Sequence, residues 1–189
     1  NDLLYLSALT NISSIDFGAG DDGFIYESSI SLAGVVVDMG AGTDYIRASR
    51  GDTLDLSALT LGVDILNLEY ITDNTGTESV TGTDQADEIH MTADNRADTF
   101  NGGGGDDTFV VSGAVNGGDI IDGGAGTNTI TGSGDADTLY VSSMSNINSI
   151  DFGAGNDGFI FDSSVSLTGV VVDMGAGTDY IAAAVNDTL

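Results

Sequence analysis

The chain has 189 residues with 28 glycines and no proline, cysteine or tryptophan. Three basic residues against 30 acidic ones give a formal net charge of -27, which argues against nucleic acid as a partner because phosphate binding depends on Lys and Arg. A hydrophobic content of 41% argues against general disorder, and the lack of an apolar run of about 20 residues argues against membrane insertion.

The expected partner of so acidic a chain is a cation. Like charges in a compact body repel one another unless counterions are held at defined places. With no cysteine and His90 as the single histidine, zinc and soft-metal sites of the usual kind cannot be built. Carboxylates and backbone carbonyls suit hard cations, and calcium is favoured over magnesium because it accepts about six to eight oxygens in a flexible geometry.

A long repeat organises the chain. Residues 1–54 align with residues 136–189 at a shift of 135 positions, with 38 identities in the 54 positions. The segment GVVVDMGAGTDYI occurs unchanged at 34–46 and 169–181. We therefore predict one continuous solenoid over residues 1–189, with a full unit in 1–135 and the start of a second copy in 136–189.

A shorter motif recurs within the unit: Asp, one residue, Gly-Ala-Gly, one residue, Asp or Asn, and then an apolar ending. It starts at Asp16, Asp38, Asp122, Asp151 and Asp173, and six residues later it reaches Asp22, Asp44, Asn128, Asp157 and Asp179. Looser relatives lie at 51–54, 86–89, 97–100, 117–121 and 136–139. Spacings near 9 and 20 residues are typical of a coil with two corners. Glycine permits each corner, and each apolar ending predicts a short strand facing a narrow core.

Residues 55–73, DLSALTLGVDILNLEYITD, lack the glycine corners. Apolar residues fall partly on alternate positions, which predicts two strands. These residues are Leu56, Leu59, Leu61, Val63, Ile65, Leu66, Leu68 and Ile71.

The strongest motif is NGGGGDDTFVV at 101–111. A phosphate-binding loop would need a lysine and a helix start after the glycines, and this segment has neither. Residues 102–110, GGGGDDTFV, match the pattern G-G-x-G-x-D-x-U-x at every fixed position. The chain therefore resembles RTX proteins, which carry haemolysin-type calcium-binding repeats. LNLEYITDNTGTESVTGTDQADEI is similar to the connecting segments of large type I-secreted bacterial adhesins and surface proteins.

This resemblance implies an all-β fold, a right-handed parallel β-roll or β-solenoid with calcium in the Gly/Asp-rich turns. Asp107 is then the principal carboxylate, with carbonyls from Gly102 and Gly104. The other implied ligands are Asp106, Asp22, Asp44, Asp98, Asp119, Asn128, Asp137, Asp157 and Asp179. Phe17, Met39, Phe152 and Met174 replace the first glycine and Asn128 replaces the aspartate. Those corners bind weakly or use the preceding Asp16, Asp38, Asp122, Asp151 and Asp173. The alternative is a set of solvated turns that bind nothing.

We expect a calcium-binding structural module of a large extracellular repetitive protein, a surface fibre or biofilm-type adhesin that is secreted to the cell surface and folds into a rigid rod with calcium. A self-assembling surface-layer or filament subunit, with neighbouring copies of the same protein as partners, is the alternative. Aromatic residues facing outward in register would add glycan or matrix polymer as a partner. A polysaccharide-acting enzyme is a remote alternative, because near-identical duplication suits a structural unit better than an active site.

Overall fold

The computed structural model describes residues 1–27, 31–49, 51–60, 65–66, 70–73 and 76–184. Within these ranges the chain forms only strands and turns, with no helix. The strands are β1 (Leu3–Leu6), β2 (Ser14–Asp16), β3 (Gly23–Tyr26), β4 (Val36–Asp38), β5 (Tyr45–Ala48), β6 (Thr53–Asp55), β7 (Ile65–Leu66), β8 (Tyr70–Thr72), β9 (Ser79–Thr81), β10 (Glu88–Met91), β11 (Thr99–Asn101), β12 (Thr108–Val111), β13 (Ala114–Asp122), β14 (Thr129–Thr131), β15 (Thr138–Ser145), β16 (Ser149–Asp151), β17 (Gly158–Phe161), β18 (Val171–Asp173) and β19 (Tyr180–Ala183).

The strands stack as a parallel β-solenoid, which confirms the expected fold class. One sheet has nine strands in the order β1-β3-β5-β8-β10-β12-β14-β16-β18, and a second has seven in the order β19-β17-β15-β13-β11-β9-β6. A third contains β2, β4 and β7. Leu3 pairs in parallel with Gly23, 20 residues later, and Tyr45 with Tyr70, 25 residues later. Successive strands of the nine-stranded sheet are one coil apart, so the solenoid has about eight turns.

The core is a column of inward-facing apolar side chains. Ile89, Phe109 and Ile130 are in register on three successive strands and are fully buried. Their sequence neighbours on either side are exposed or half-buried, because side chains alternate across a strand. The apolar endings of these motifs therefore fill the core, as the sequence predicts.

The glycine corners stack directly on one another. The N–H of Ala125 donates to the carbonyl of Gly103 over 3.0 Å. Gly103 has φ +93° and Gly124 has φ +75°, which favour glycine. A Cβ on Gly124 would also collide with the Gly103 carbonyl oxygen. These corners consequently need glycine both for the turn and for the contact between coils.

Around residues 55–73 the three-stranded sheet ends and the seven-stranded sheet begins. Within it, the described residues include β7 and β8, as well as Asp55 at the end of β6. β7 is the last strand of the three-stranded sheet, and β6 is the first strand of the seven-stranded sheet. We call the coil over residues 53–81 the seam. Of the apolar residues predicted here, Leu56, Leu59, Ile65 and Ile71 are buried. Leu61, Val63, Leu68 and the side chain of Leu66 lie outside the described part of the chain.

The two copies of the long repeat lie half a turn out of phase. β1, β3 and β5 of the first copy belong to the nine-stranded sheet, whereas their sequence equivalents β15, β17 and β19 belong to the seven-stranded sheet. β16 and β18, the equivalents of β2 and β4, lie in the nine-stranded sheet. The 135-residue shift therefore corresponds to a half-integral number of turns.

Candidate functional site

Two ladders of acidic and amide side chains follow the two edges of the solenoid. In each ladder a side-chain oxygen accepts a hydrogen bond from the backbone N–H of the equivalent residue one coil earlier. The first ladder contains Asp2, Asp22 and Asp44, followed beyond the seam by Asp87, Asp107, Asn128 and Asn148. The second contains Glu78, Asp98 and Asp119, and then Asp137, Asp157 and Asp179.

The ladders explain why acidic residues recur at the corners. The backbone N–H of Asp87 donates to Oδ1 of Asp107 over 2.9 Å, and the N–H of Asp107 donates to Oδ1 of Asn128 over 2.9 Å. Asp107 is 1% exposed, and a buried N–H without an acceptor would be costly. One oxygen of each such side chain therefore has a structural role whether or not an ion binds.

The second carboxylate oxygen distinguishes two kinds of corner. Oδ2 of Asp22, Asp107 and Asp157 is buried and has no hydrogen-bond partner among the described residues. We call these three, in which a glycine lies four residues before the acid, the open corners. Oδ2 of Asp119 is also buried without a partner among the described residues, but Val115 stands in place of that glycine. Burying a carboxylate oxygen without a hydrogen-bond donor is costly, so each open corner favours the binding of a cation.

At Asp87 and Asp137 the second oxygen is satisfied by the protein itself. Oδ2 of Asp87 accepts the N–H of Thr83 over 2.6 Å and also the Thr83 hydroxyl over 3.1 Å. Oδ2 of Asp137 accepts the N–H and hydroxyl of Ser133 over 2.6 and 2.9 Å. We call these two the closed corners.

The residue four positions before the ladder acid separates the two kinds of corner. It is Thr83 or Ser133 in the closed corners and a glycine of positive φ, such as Gly103 or Gly153, in the open ones. The N–H of such a glycine points elsewhere: Gly103 donates to Oδ1 of Asn101 over 2.9 Å. This signal is visible in the sequence, although the repeat pattern alone did not reveal it.

The open corner at Asp107 brings two oxygens together. A Cβ on Gly102 would collide with both Oδ2 of Asp107 and the carbonyl oxygen of Gly123. Gly102 therefore leaves room for a pair of acceptors. The carbonyl oxygen of Gly102 also lies near Oδ2 of Asp87, because a Cβ added to Gly82 would contact both of these oxygens.

Asn128 occupies the equivalent position one coil later. Its Nδ2 donates to the carbonyl oxygen of Asn146 over 3.0 Å. The amide supplies the hydrogen that a carboxylate lacks, so this corner is satisfied without an ion. The comparison indicates what Asp107 needs in the same setting, namely a positive group between Oδ2 and a carbonyl.

The other predicted ligands lie nearer the surface. Asp16, Asp106, Asp151 and Asp173 are exposed, and Asp38 and Asp122 are half-buried. Asp38, Asp122, Asp151 and Asp173 each accept the N–H of the glycine two residues later. Oδ1 of Asp106 accepts the N–H of Thr127 in the next coil over 2.7 Å. The N–H of Gly104 donates to the Thr83 carbonyl over 3.1 Å. Most of these residues thus fix turns at the rim of a corner.

A third acidic group lies at the seam. Asp73, Glu78 and Asp98 are all buried, and one carboxylate oxygen from each lies within 4.8 Å of the others. Such a cluster could hold a metal ion. Asp98 was a predicted ligand, but the sequence analysis missed Asp73 and Glu78. Glu78 directly precedes β9, as the ladder acids precede their strands, and this position was the available signal.

Burial raises the pKa of several of these acids. Desolvation, with smaller contributions from the charges of Asp98 and Glu78, raises the pKa of Asp73 to about 7. Burial likewise raises the pKa of Asp119 to about 7 and those of Asp87 and Asp98 to about 6. Burial also raises the pKa of Asp107. Protons therefore compete for the oxygens of Asp73, Asp87, Asp98 and Asp119 close to neutral pH.

Comparison of the chain with known protein families, curated proteins and solved structures gives no match. Within the described residues no helix is long and apolar enough to span a membrane.

Proposed function

We propose that this chain is a calcium-binding structural module of a large extracellular repetitive protein of the RTX type, in a surface fibre or biofilm-type adhesin. The observation that carries the proposal is the buried Oδ2 without a hydrogen-bond partner at Asp22, Asp107 and Asp157. It recurs in both copies of the repeat, at a corner that glycine keeps open. A recurring unsatisfied oxygen favours a recurring ligand over a solvated turn.

Calcium fits the donor set. At Asp107 the ligands would include Oδ2 and the Gly123 carbonyl oxygen, which converge beside Gly102. Both are hard oxygen donors, and one of them is anionic. Bound calcium would supply positive charge in place of the hydrogen that Asn128 provides at the next corner. The remaining ligands would come from water and the neighbouring turn.

Calcium binding would then drive folding. The unfolded chain has no preformed site, so the binding free energy becomes folding free energy. With a net charge of -27, the chain repels itself and is only marginally stable in its folded form where calcium is scarce, as in a cell interior. Secretion into a calcium-rich medium would close the coils into a rod. At about 4.8 Å per coil, about eight turns give a length of about 40 Å.

Self-assembly is a second candidate, favoured by the last described coil. Ile181 is 49% exposed, whereas its sequence equivalent Ile46, which β8 covers, is fully buried. Val171 is 67% exposed against 37% for Val36. A coil stacked on this edge would cover both side chains. In this candidate the covering coil comes from a neighbouring copy of the protein. Glycan or matrix polymer would contact outward-facing tyrosines such as Tyr5.

The test is far-UV circular dichroism during titration from chelator into millimolar calcium at pH 8, with magnesium as the control. We expect an incomplete β spectrum in chelator that calcium converts to a complete one, and a weaker response to magnesium. A β spectrum that is complete in chelator and unchanged by calcium would overturn the calcium-driven module. Sedimentation across protein concentrations then separates a monomeric spacer from an assembling filament.

A further inference from the structure

The acidic cluster at the seam joins strands from both large sheets. Asp73 directly follows β8 of the nine-stranded sheet, and Glu78 and Asp98 directly precede β9 and β11 of the seven-stranded sheet. β6, the first strand of the seven-stranded sheet, belongs to the same coil. A ligand that holds the three acids together would therefore also fix the point where the three-stranded sheet ends and the seven-stranded sheet begins.

Backbone N–H groups hold each carboxylate of the cluster in place. Oδ1 of Asp73 accepts the N–H of Thr92 over 2.6 Å. Glu78 accepts the N–H of Gly51 on Oε1 over 2.6 Å and the N–H of Gly76 on Oε2 over 2.9 Å. Oδ1 of Asp98 accepts the N–H of Glu78 over 2.7 Å. The three side chains are oriented by the backbone before any ligand arrives.

These hydrogen bonds leave one oxygen unsatisfied. Oδ2 of Asp73 is buried without a hydrogen-bond partner among the described residues, and the whole side chain is 2% exposed. No Lys or Arg forms an ion pair with the cluster within the described part of the chain. Three buried carboxylates within 4.8 Å therefore carry more negative charge than their neighbours compensate.

From this geometry we infer that Asp73, Glu78 and Asp98 form a divalent-cation site that fastens the seam. The ion would bridge the end of β8 to the starts of β9 and β11. This site lies outside the open corners and does not depend on calcium binding there. Its role is local: it stabilises the coil in which the seven-stranded sheet begins.

The chemistry of the cluster favours calcium. Calcium accepts about six to eight oxygen ligands in a flexible geometry, which suits three carboxylates whose positions are set by the backbone. Magnesium demands near-octahedral geometry and keeps several of its waters, so it suits such a cluster less well.

A groove borders one side of the cluster. This open groove of about 310 Å³ is lined by Arg47, Asp73, His90 and Thr92, among other residues of β5, β8, β10 and β12 and of the turns that follow them. Asp73 thus belongs both to the groove and to the cluster, whereas Glu78 and Asp98 belong to the cluster alone.

The test is calorimetric titration of the whole chain with calcium chloride at pH 8, comparing wild type, Asp73→Asn and Asp135→Asn. Asp135 is exposed and is not among the predicted ligands, so its substitution controls for the lost charge. We expect Asp73→Asn to bind one ion fewer than wild type and Asp135→Asn to bind the same number. Glu78→Gln should remove the same ion and keeps the test decisive if Asp73→Asn does not fold.

Amide hydrogen exchange locates the missing ion. Calcium should slow exchange at Glu78 and Thr92 by at least about tenfold in wild type, but not in Asp73→Asn. Equal stoichiometry in wild type, Asp73→Asn and Glu78→Gln would overturn the inference, as would wild-type protein that binds no calcium. Loss of an ion in Asp107→Asn alone would leave the proposed corner function standing and reject the seam site. Loss of an ion in Asp73→Asn alone would leave the seam site standing and reject calcium binding at the Asp107 corner.

Discussion

The backbone N–H of Asp107 donates to Oδ1 of Asn128, one coil further along, over 2.9 Å. Both side chains are buried, and both occupy the ladder position of their corner. They differ in the second side-chain group: Nδ2 of Asn128 donates to a carbonyl, whereas Oδ2 of Asp107 has no partner among the described residues. The chain thus carries, in neighbouring coils, an ion-independent corner and one that needs a positive group.

Asp107→Asn should therefore stabilise the calcium-free protein. The new Nδ2 can donate to the Gly123 carbonyl as Asn128 donates to Asn146, and it removes a buried charge. We expect a gain of about 1–3 kcal/mol in the free energy of unfolding, measured by urea denaturation in chelator at pH 8. In millimolar calcium the gain should shrink or reverse, because the variant loses a ligand.

Asp137→Asn should have the opposite effect in chelator. Oδ2 of Asp137 accepts the N–H and hydroxyl of Ser133, so an Asn amide there would lose an acceptor or place donor against donor. We expect a loss of about 1–3 kcal/mol in the same urea experiment. If the two substitutions shifted stability in the same direction, the distinction between open and closed corners would be wrong.

Gly102→Ala tests the space beside Asp107. The added Cβ would overlap Oδ2 of Asp107 and the Gly123 carbonyl oxygen, and backbone cannot easily move away. We expect a loss of about 1–3 kcal/mol and a weaker response to calcium, followed by thermal unfolding with and without the ion. Gly134→Ala is the control, since its Cβ would meet nothing within 4 Å. A similar loss in both variants would contradict the assignment.

The sequence predicted the solenoid because its signals are local and repeated. Glycine at the corners and an apolar residue such as Phe109 after each one follow from backbone and side-chain geometry alone. The orientation of the ladder acids could not be predicted in this way, because the N–H that binds Asp107 belongs to Asp87, 20 residues earlier. The seam cluster was missed for the same reason: Asp73 and Asp98 meet only after the coils stack, and neither belongs to the Gly-Ala-Gly motif.

Stability without calcium should fall as pH rises. An acid whose folded pKa is raised binds protons more tightly in the folded state, so stability is greatest below the unfolded pKa and falls until the folded pKa is passed. Asp119, with a pKa of about 7, and Asp87, with a pKa of about 6, place that fall between about pH 4 and pH 7. Urea unfolding in chelator should therefore give a higher midpoint at pH 5 than at pH 8.

Calcium should weaken this pH dependence, because the ion replaces protons at Asp73, Asp98 and Asp107, whose pKa values burial also raises. The midpoint at pH 8 should rise with calcium far more than the midpoint at pH 5. Greater stability at pH 8 than at pH 5 in chelator would show that these carboxylates are already compensated in the folded protein.

The repeated sequence offers a matched test of the exposed edge. Ile46 and Ile181 are equivalent positions, yet Ile46 is fully buried under β8 and Ile181 is 49% exposed. Ile46→Ala should cost about 2–5 kcal/mol, as core truncations do, whereas Ile181→Ala should cost less than about 1 kcal/mol in dilute monomer. If the Ile181→Ala cost rises with protein concentration, another copy covers this edge and the filament candidate gains over the spacer. A cost that is small at every concentration favours the spacer, since the edge then stays free of other copies.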